Sequence, residues 1–209
     1  MDPLPPCPIV VMAKAPRPGY AKTRLIPALG EQGAAALAQR LLLHALDQAL
    51  SARLGTVELC CAPDTTDPLW KALARPGLAF SDQGDGDLGA RMQRPFARWL
   101  PQAGQLLMTG TDCPGLSSPV LREAAGALAR ADAVFVPAFD GGYALIGLRG
   151  PAVDRFAPLF DQMPWSTPGL MAATRERLAA AGLCHVELPA LHDIDEPADL
   201  QHLPPGWQA

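Results

Sequence analysis

Short, almost wholly apolar runs alternate with longer segments of helical periodicity along the whole chain. Residues 8–13, 56–61, 78–81, 105–109, 133–137, 143–148 and 184–188 read as strands. Between them, 31–54, 67–74, 87–100, 119–131, 168–181 and 197–203 read as helices. The first helix carries an apolar stripe of Ala38, Leu42, Ala45, Leu46, Ala49 and Leu50. Ser118 and Thr167 stand at cap positions of two later helices, and Gly182 ends the second of these. Strands separated by helices predict an α/β fold, a mainly parallel sheet with helices on both faces. The runs at 8–13 and 105–109 are nearly continuous hydrophobic stretches, as doubly buried strands require. At 209 residues, 49% hydrophobic, residues 1–209 suit a single domain with a sizeable core. Ligands in such sheets bind beyond the carboxyl ends of the strands, so the loops there are where chemistry is expected.

Charge and composition exclude several classes. The net charge of −4 lacks the basic footprint of a nucleic-acid binder. The first apolar run, 9–13, is too short for a signal peptide, and no run approaches the ~18 apolar residues of a membrane span. Five cysteines without a C-x-x-C pair argue against a disulfide framework or a zinc site and fit a reducing cytoplasm. Cys60 and Cys61 read as buried packing residues. The P-loop order, the G-x-G-x-x-G fingerprint and the G-x-S-x-G elbow are all missing. His44 reads as structural, and His192 beside two aspartates is weak evidence for catalysis.

Six loops carry the candidate chemistry. After the first strand, Lys14-Ala-Pro-Arg-Pro-Gly-Tyr-Ala-Lys-Thr-Arg24 places Lys14, Arg17, Lys22 and Arg24 within eleven residues of an otherwise acidic chain. Such a loop is either a solvated basic surface or a cradle for a di- or triphosphate, and its position favours the cradle. Gln83-Gly-Asp-Gly-Asp-Leu-Gly-Ala-Arg-Met92 joins a strand to a helix. Asp87 is its natural N-cap, while Gly84 and Gly86 allow a tight turn whose amides could face a ligand. Asp112, Asp140, Asp193 and Asp195 each follow a strand. Neighbouring strands lie ~4.8 Å apart, so such carboxylates can meet around one Mg²⁺ or Mn²⁺. Asp195 reads equally well as the N-cap of the helix at Pro197. Asp140-Gly-Gly142 is a tight connection or a substrate-binding loop, and Trp165 either faces an acceptor or packs beneath that loop.

Taken together, Ala13-Lys-Ala-Pro-Arg-Pro-Gly-x-x-Lys-Thr-Arg-Leu25, the 83–92 turn, Gly110-Thr-Asp-Cys-Pro114, Asp140-Gly-Gly-Tyr143, Trp165-Ser-Thr-Pro168 and Asp193-Ile-Asp-x-Pro-x-Asp-Leu200 resemble a bacterial family. Its members are GT-A-type transferases labelled selenodomain-associated transferase 1 or glycosyltransferase, and the motifs run in order across nearly the whole chain. The resemblance implies the nucleotide-diphospho-sugar transferase fold, a Rossmann-like α/β/α sandwich. It implies that Lys14, Lys22 and Arg24 hold phosphates and that Gln83, Gly84, Asp87 and Gly89 approach the nucleoside. Asp112 is then the metal aspartate, with Lys22 and Arg24 assisting the reaction beside it. Asp140, Gly141, Gly142, Trp165 and Ser166 are left to meet the acceptor. The Lys-Thr-Arg-Leu and Asp-Ile-Asp elements are also similar to those of phospholactate guanylyltransferases, which implies Asp193 and Asp195 as further metal ligands. One departure stands out: sugar nucleotidyltransferases open with Gly-Gly-x-Gly, and here Ala13-Lys14-Ala15 takes that place. The expected activity is therefore metal-dependent glycosyl transfer from a nucleotide-sugar donor to a small-molecule acceptor. Nucleotidyl transfer with pyrophosphate release is the alternative, and a non-catalytic nucleotide-binding protein the third. Nucleobase, sugar, acceptor and oligomeric state stay open.

Overall fold

A strand covered on both faces needs apolar side chains in both phases of its pleat, and β1 (Ile9–Lys14) and β4 (Gln105–Thr109) have them. The computed structural model describes residues 5–207. In it these strands form the centre of a seven-stranded sheet with β2 (Val57–Ala62), β3 (Leu78–Asp82), β5 (Ala133–Pro137), β6 (Tyr143–Arg149) and β7 (His185–Glu187). The order is β3-β2-β1-β4-β6-β5-β7. All pairings are parallel except those of β6, which runs antiparallel to both β4 and β5. The connection from β5 to β6 is only five residues long, 138–142, too short for a crossover to a parallel neighbour. The fold is thus the α/β/α sandwich with a mostly parallel sheet that the alternation predicts.

Successive residues of each strand enter opposite layers. Ile9, Val11, Leu59, Leu107 and Val134 pack against α1 (Ile26–Ala52) and α4 (Ser118–Ala127). Val10, Cys60, Met108, Phe135 and Ile146 pack against α3 (Leu88–Ala103), the 3-10 segment Val153–Leu159 and α5 (Leu170–Ala180). Of the predicted α1 stripe, Ala38, Leu42, Leu46 and Ala49 are buried, and Ala45 and Leu50 partly so. The same helix has a second apolar face. Leu37 and Leu41 meet Leu25, Ile194 and Leu203, so the C-terminal segment closes over α1 and brings its aspartates to the sheet edge.

Several predicted helix ends move. α1 begins at Ile26, but Gly30 is non-helical (φ 70, ψ 168), so regular helix resumes at the expected Glu31. α2 (Pro68–Lys71) is one turn, shorter than 67–74. α4 ends at Ala127 rather than at 131, and Ser118 lies inside it, its amide donating to Gln48 Oε1 on α1 at 2.9 Å. Thr167 does not cap α5; its hydroxyl donates to the Pro164 carbonyl at 2.8 Å and Gly169 takes the cap position. The last helix is a 3-10 segment, Pro197–His202, capped by Glu196 in a reciprocal box with Asp199. This frees Asp195 from the capping role.

Cys7, Cys60, Cys61 and Cys113 are buried free thiols and Cys184 is exposed. Burial pushes Cys7 and Cys61 up to about 12 and Cys113 to about 11, and raises Cys60 as well. At pH 8 a thiol reagent is expected to titrate Cys184 quickly and the other four only after denaturation. More than one fast thiol in native protein would contradict this packing. Among the described residues no helix is long and apolar enough to cross a membrane.

Candidate active site

In an open α/β sheet a crevice forms where the strand order reverses, because the loops leaving two adjacent strands diverge. Here the chain leaves β1 toward β2 on one side, and β4 pairs on the other. A cleft of about 770 Å³ opens at this point, beyond the carboxyl ends of the strands. Lys14 lines it from the carboxyl end of β1, Lys22 and Arg24 from the segment that follows, and Asp112 from the loop after β4. Asp195 lines it beside Lys22 and Arg24, and Asp140, Trp165, Ser166 and Asp193 complete the opposite wall.

The centre of the cleft is an ion-pair cluster. Lys22 Nζ lies 2.6 Å from Asp112 Oδ1 and 3.6 Å from Asp195 Oδ1, and donates to the Ile194 carbonyl. The other Asp195 oxygen, Oδ2, accepts from Arg24 Nη1 at 2.5 Å. The Ile194 amide donates to the Asp112 carbonyl at 2.9 Å, which ties the C-terminal segment to the loop after β4. Thr111 Oγ1 lies 3.2 Å from Asp112 Oδ1. The Lys22 side chain is only 6% exposed, whereas that of Asp112 is half open. Lys14 makes no ion pair among the described residues and points its exposed side chain at the cleft.

Among the described residues Asp193 pairs with neither Lys22 nor Arg24. Burial, and secondly the carboxylate of Asp140, push it up to about 6. Among the described residues no set of three His, Cys, Asp or Glu side chains surrounds one metal position. The predicted trio is therefore not gathered: Lys22 already bridges Asp112 and Asp195, while Asp193 sits with Asp140. Two carboxylate oxygens directed at one cationic point remain, and this suits Mg²⁺ or Mn²⁺, which complete their shell with phosphate oxygens and water. The residues present fit such an ion.

The glycine-rich turn has a structural account. Gly84 and Gly86 take left-handed backbone (φ 71 and 101), and the Arg94 guanidinium bonds the Gln83 and Asp85 carbonyls to hold them. A Cβ on Gly89 would lie 2.1 Å from the Phe160 carbonyl oxygen. Gln83 Nε2 donates to the Ala13 and Cys60 carbonyls at 3.2 and 3.1 Å, and Asp87 caps α3 through the Ala90 amide at 2.8 Å. The side-chain amide of Gln83 and the carboxylate of Asp87 are thus engaged by the fold. From this element Leu88 and Arg91 also face the cleft, two residues that sequence reasoning passed over. Arg91 lies one helical turn beyond the Asp87 cap, a spacing that could have flagged it.

Arg17, the fourth cation of the basic loop, pairs with Asp67, whose side chain is almost fully buried while capping α2. A buried carboxylate needs a counter-charge, so Arg17 serves the fold and not a phosphate. Tyr20 in the same loop is 41% exposed and lines the cleft, with no sequence signal beyond its place in the loop.

On the far wall Asp140 Oδ1 accepts from the Gly142 amide at 2.8 Å. Gly141 (φ 92) approaches Pro168 so closely that a Cβ would lie 2.1 Å from its carbonyl oxygen, and Met171 donates to the Gly141 carbonyl at 2.8 Å. The Asp140 turn and residues 165–168 therefore form one rigid lip. Trp165 both packs against Gly89 and lines the cleft, and Ser166 is exposed with left-handed backbone (φ 59). His44, expected to be structural, contacts the Pro114 carbonyl from α1 at 3.0 Å, and His192 stacks between Phe139 and His202.

Residues 45–167 match the family described as "Uncharacterized protein conserved in bacteria" (DUF2064). Among solved structures, a protein from Desulfovibrio desulfuricans G20, provisionally assigned as a nucleotide-diphospho-sugar transferase, is 30% identical with a TM-score of 0.84. The match covers 93% of this chain and 84% of that one. Rv0371c from Mycobacterium tuberculosis H37Rv is 15% identical with a TM-score of 0.60 over 96% of this chain and 98% of its own. It has also been solved in complex with manganese. CMP:2-keto-3-deoxy-manno-octonic acid synthetase, complexed with CTP, is 13% identical with a TM-score of 0.56, over 94% and 96% of the two chains. At these lower identities the likeness is one of fold. No curated protein matches.

Proposed function

From the premise that the chain belongs to the bacterial family DUF2064, we propose that it is a metal-dependent transferase acting on a nucleotide-activated donor, and that the group it transfers is glycosyl. The observation that carries this reading is the meeting of Lys22 and Arg24 with Asp112 and Asp195 at the strand-order reversal of the sheet. A scaffold has no need of cations and carboxylates gathered in one open cleft.

In this reading Lys14, Lys22 and Arg24 bind the donor's phosphates and offset their charge, Arg24 with a forked donor and the lysines as point charges. Asp112 and Asp195 would hold a Mg²⁺ or Mn²⁺, which supplies Lewis-acid stabilisation of the departing phosphate oxygen. The rigid lip of Asp140, Gly141, Gly142, Trp165 and Ser166 positions a small-molecule acceptor across the cleft from the cations. Much of the rate acceleration then comes from orientation and charge placement. Ala13 and Ala15 are buried where a nucleotidyltransferase would present flexible glycines, which favours glycosyl over nucleotidyl transfer.

The test is a product assay with nucleotide sugars and nucleoside triphosphates, each with Mg²⁺ or Mn²⁺ and a set of acceptors. Release of a nucleoside diphosphate from a nucleotide sugar supports glycosyl transfer. Release of pyrophosphate from a triphosphate replaces it with nucleotidyl transfer. Neither product, together with no thermal shift from any nucleotide, would end the transferase reading.

A further inference from the structure

Lysine is almost never buried without a partner, yet the Lys22 side chain is only 6% exposed. Its backbone is left-handed (φ 52, ψ 42), a conformation a non-glycine residue keeps only where its surroundings impose it. Three acceptors face its ammonium: Asp112 Oδ1, Asp195 Oδ1 and the Ile194 carbonyl. Asp195 divides its oxygens, giving Oδ2 to Arg24 and leaving Oδ1 for Lys22. The ammonium thus stands between the two oxygens that would ligate a divalent ion.

We propose that Lys22 is a built-in stand-in for the metal: its ammonium holds the Asp112–Asp195 pair in the empty enzyme and must leave before a divalent cation can enter. This rests on the reading of Asp112 and Asp195 as metal ligands. A metal ~2.1 Å from Asp112 Oδ1 and an ammonium 2.6 Å from the same oxygen, both directed at Asp195, would be like charges in near contact. The two occupants are mutually exclusive. Arg24 need not move, because it engages the other oxygen of Asp195. The flexible lysine stem lets the ammonium swing into the cleft, where the donor's phosphates offer it a new anion. Donor and metal therefore bind cooperatively, each lowering the cost of displacing Lys22, and the coupling is reciprocal. The free enzyme holds its carboxylates neutralised and takes up metal weakly.

The experiment is Mn²⁺ binding, without nucleotide, to wild type, Lys22→Met and Lys22→Asn, by calorimetry and by the loss of free-ion signal in electron paramagnetic resonance. Asparagine tolerates left-handed backbone, so it guards against a methionine variant that folds poorly, and thermal melts check both. Each variant is expected to bind Mn²⁺ about tenfold or more tightly than wild type, since the competing cation is gone. Adding Asp112→Asn to either variant should remove the gain. Affinity equal to or below wild type in both folded Lys22 variants, while Asp112→Asn still weakens wild-type Mn²⁺ binding, would overturn the stand-in and leave the metal site standing. If Mn²⁺ binding ignores Asp112 in every background, the metal-site reading falls and the stand-in falls with it.

Discussion

Asp112→Asn is expected to lower metal-dependent nucleotide binding about a hundredfold while leaving the fold intact. The substitution keeps shape and hydrogen-bonding capacity but removes one of two anionic oxygen donors directed at the proposed ion. A hundredfold loss corresponds to about 2.7 kcal/mol, the order expected when a charged partner is removed from a preorganised site. Folding is spared because the contact that ties this loop to the C-terminal segment is made by the Asp112 backbone carbonyl, which accepts from Ile194. The side chain is also 49% exposed, and the buried Lys22 ammonium keeps the asparagine oxygen, Asp195 and the Ile194 carbonyl as partners. Titrations with and without Mg²⁺ or Mn²⁺ separate the effects. The wild type should gain affinity with metal and the variant should not. Equal metal dependence in both would return Asp112 to an ordinary turn residue.

Glu58→Ala is expected to do the reverse, costing stability and sparing the cleft. Glu58 is the second residue of β2, so it lies at the opposite end of the strand from the carboxyl edge. Its side chain is buried, and its Oε1 accepts from Ser81 Oγ at 2.6 Å and pairs with Arg98. Oε2 accepts from the Trp99 indole at 2.8 Å. Alanine would strip three partners at once, leaving the Ser81 hydroxyl and the Trp99 indole without their acceptor, while Arg98, its side chain 38% exposed, can turn to water. Two lost hydrogen bonds and a partly screened ion pair cost about 3 kcal/mol. For a chain of this size that is about 6–12 °C in Tm. Glu58→Gln keeps the acceptor and should lose less. A Tm change below about 3 °C for the alanine variant would mean that the network is solvated and not structural. Thermal unfolding measured together with nucleotide binding checks both halves of the expectation.

These two side chains also show what could be read in advance. Asp112 was legible because a Gly-x-Asp-x-Pro turn directly follows a buried strand, and in a parallel sheet every such turn lies on one edge. Glu58 was not, because a single glutamate in a strand is also what a half-exposed edge strand would carry. Its burial depends on Arg98 and Trp99 arriving from α3, forty residues later. The same limit applies to the basic loop. Four cations in eleven residues could be seen, but which of them meets a ligand could not. Arg17 turned to Asp67 and Lys22 to Asp112 and Asp195, partners that local sequence does not announce.

What the sequence determined by itself was everything governed by neighbours within a few residues. Sheet and helix alternation, the Asp87 cap and the left-handed glycines at 84 and 86 follow from backbone sterics and short-range hydrogen bonds, which act the same way in any fold. The tertiary structure alone decided the insertion of β6 between β4 and β5, the lip locked between Gly141 and Pro168, and the ammonium set between two aspartates. Lys22 and the Ile194 carbonyl it bonds are 172 residues apart. No local preference acts over that distance; the contact exists because strand order and the closing of the C-terminal segment over α1 bring the two ends of the chain to one edge of the sheet.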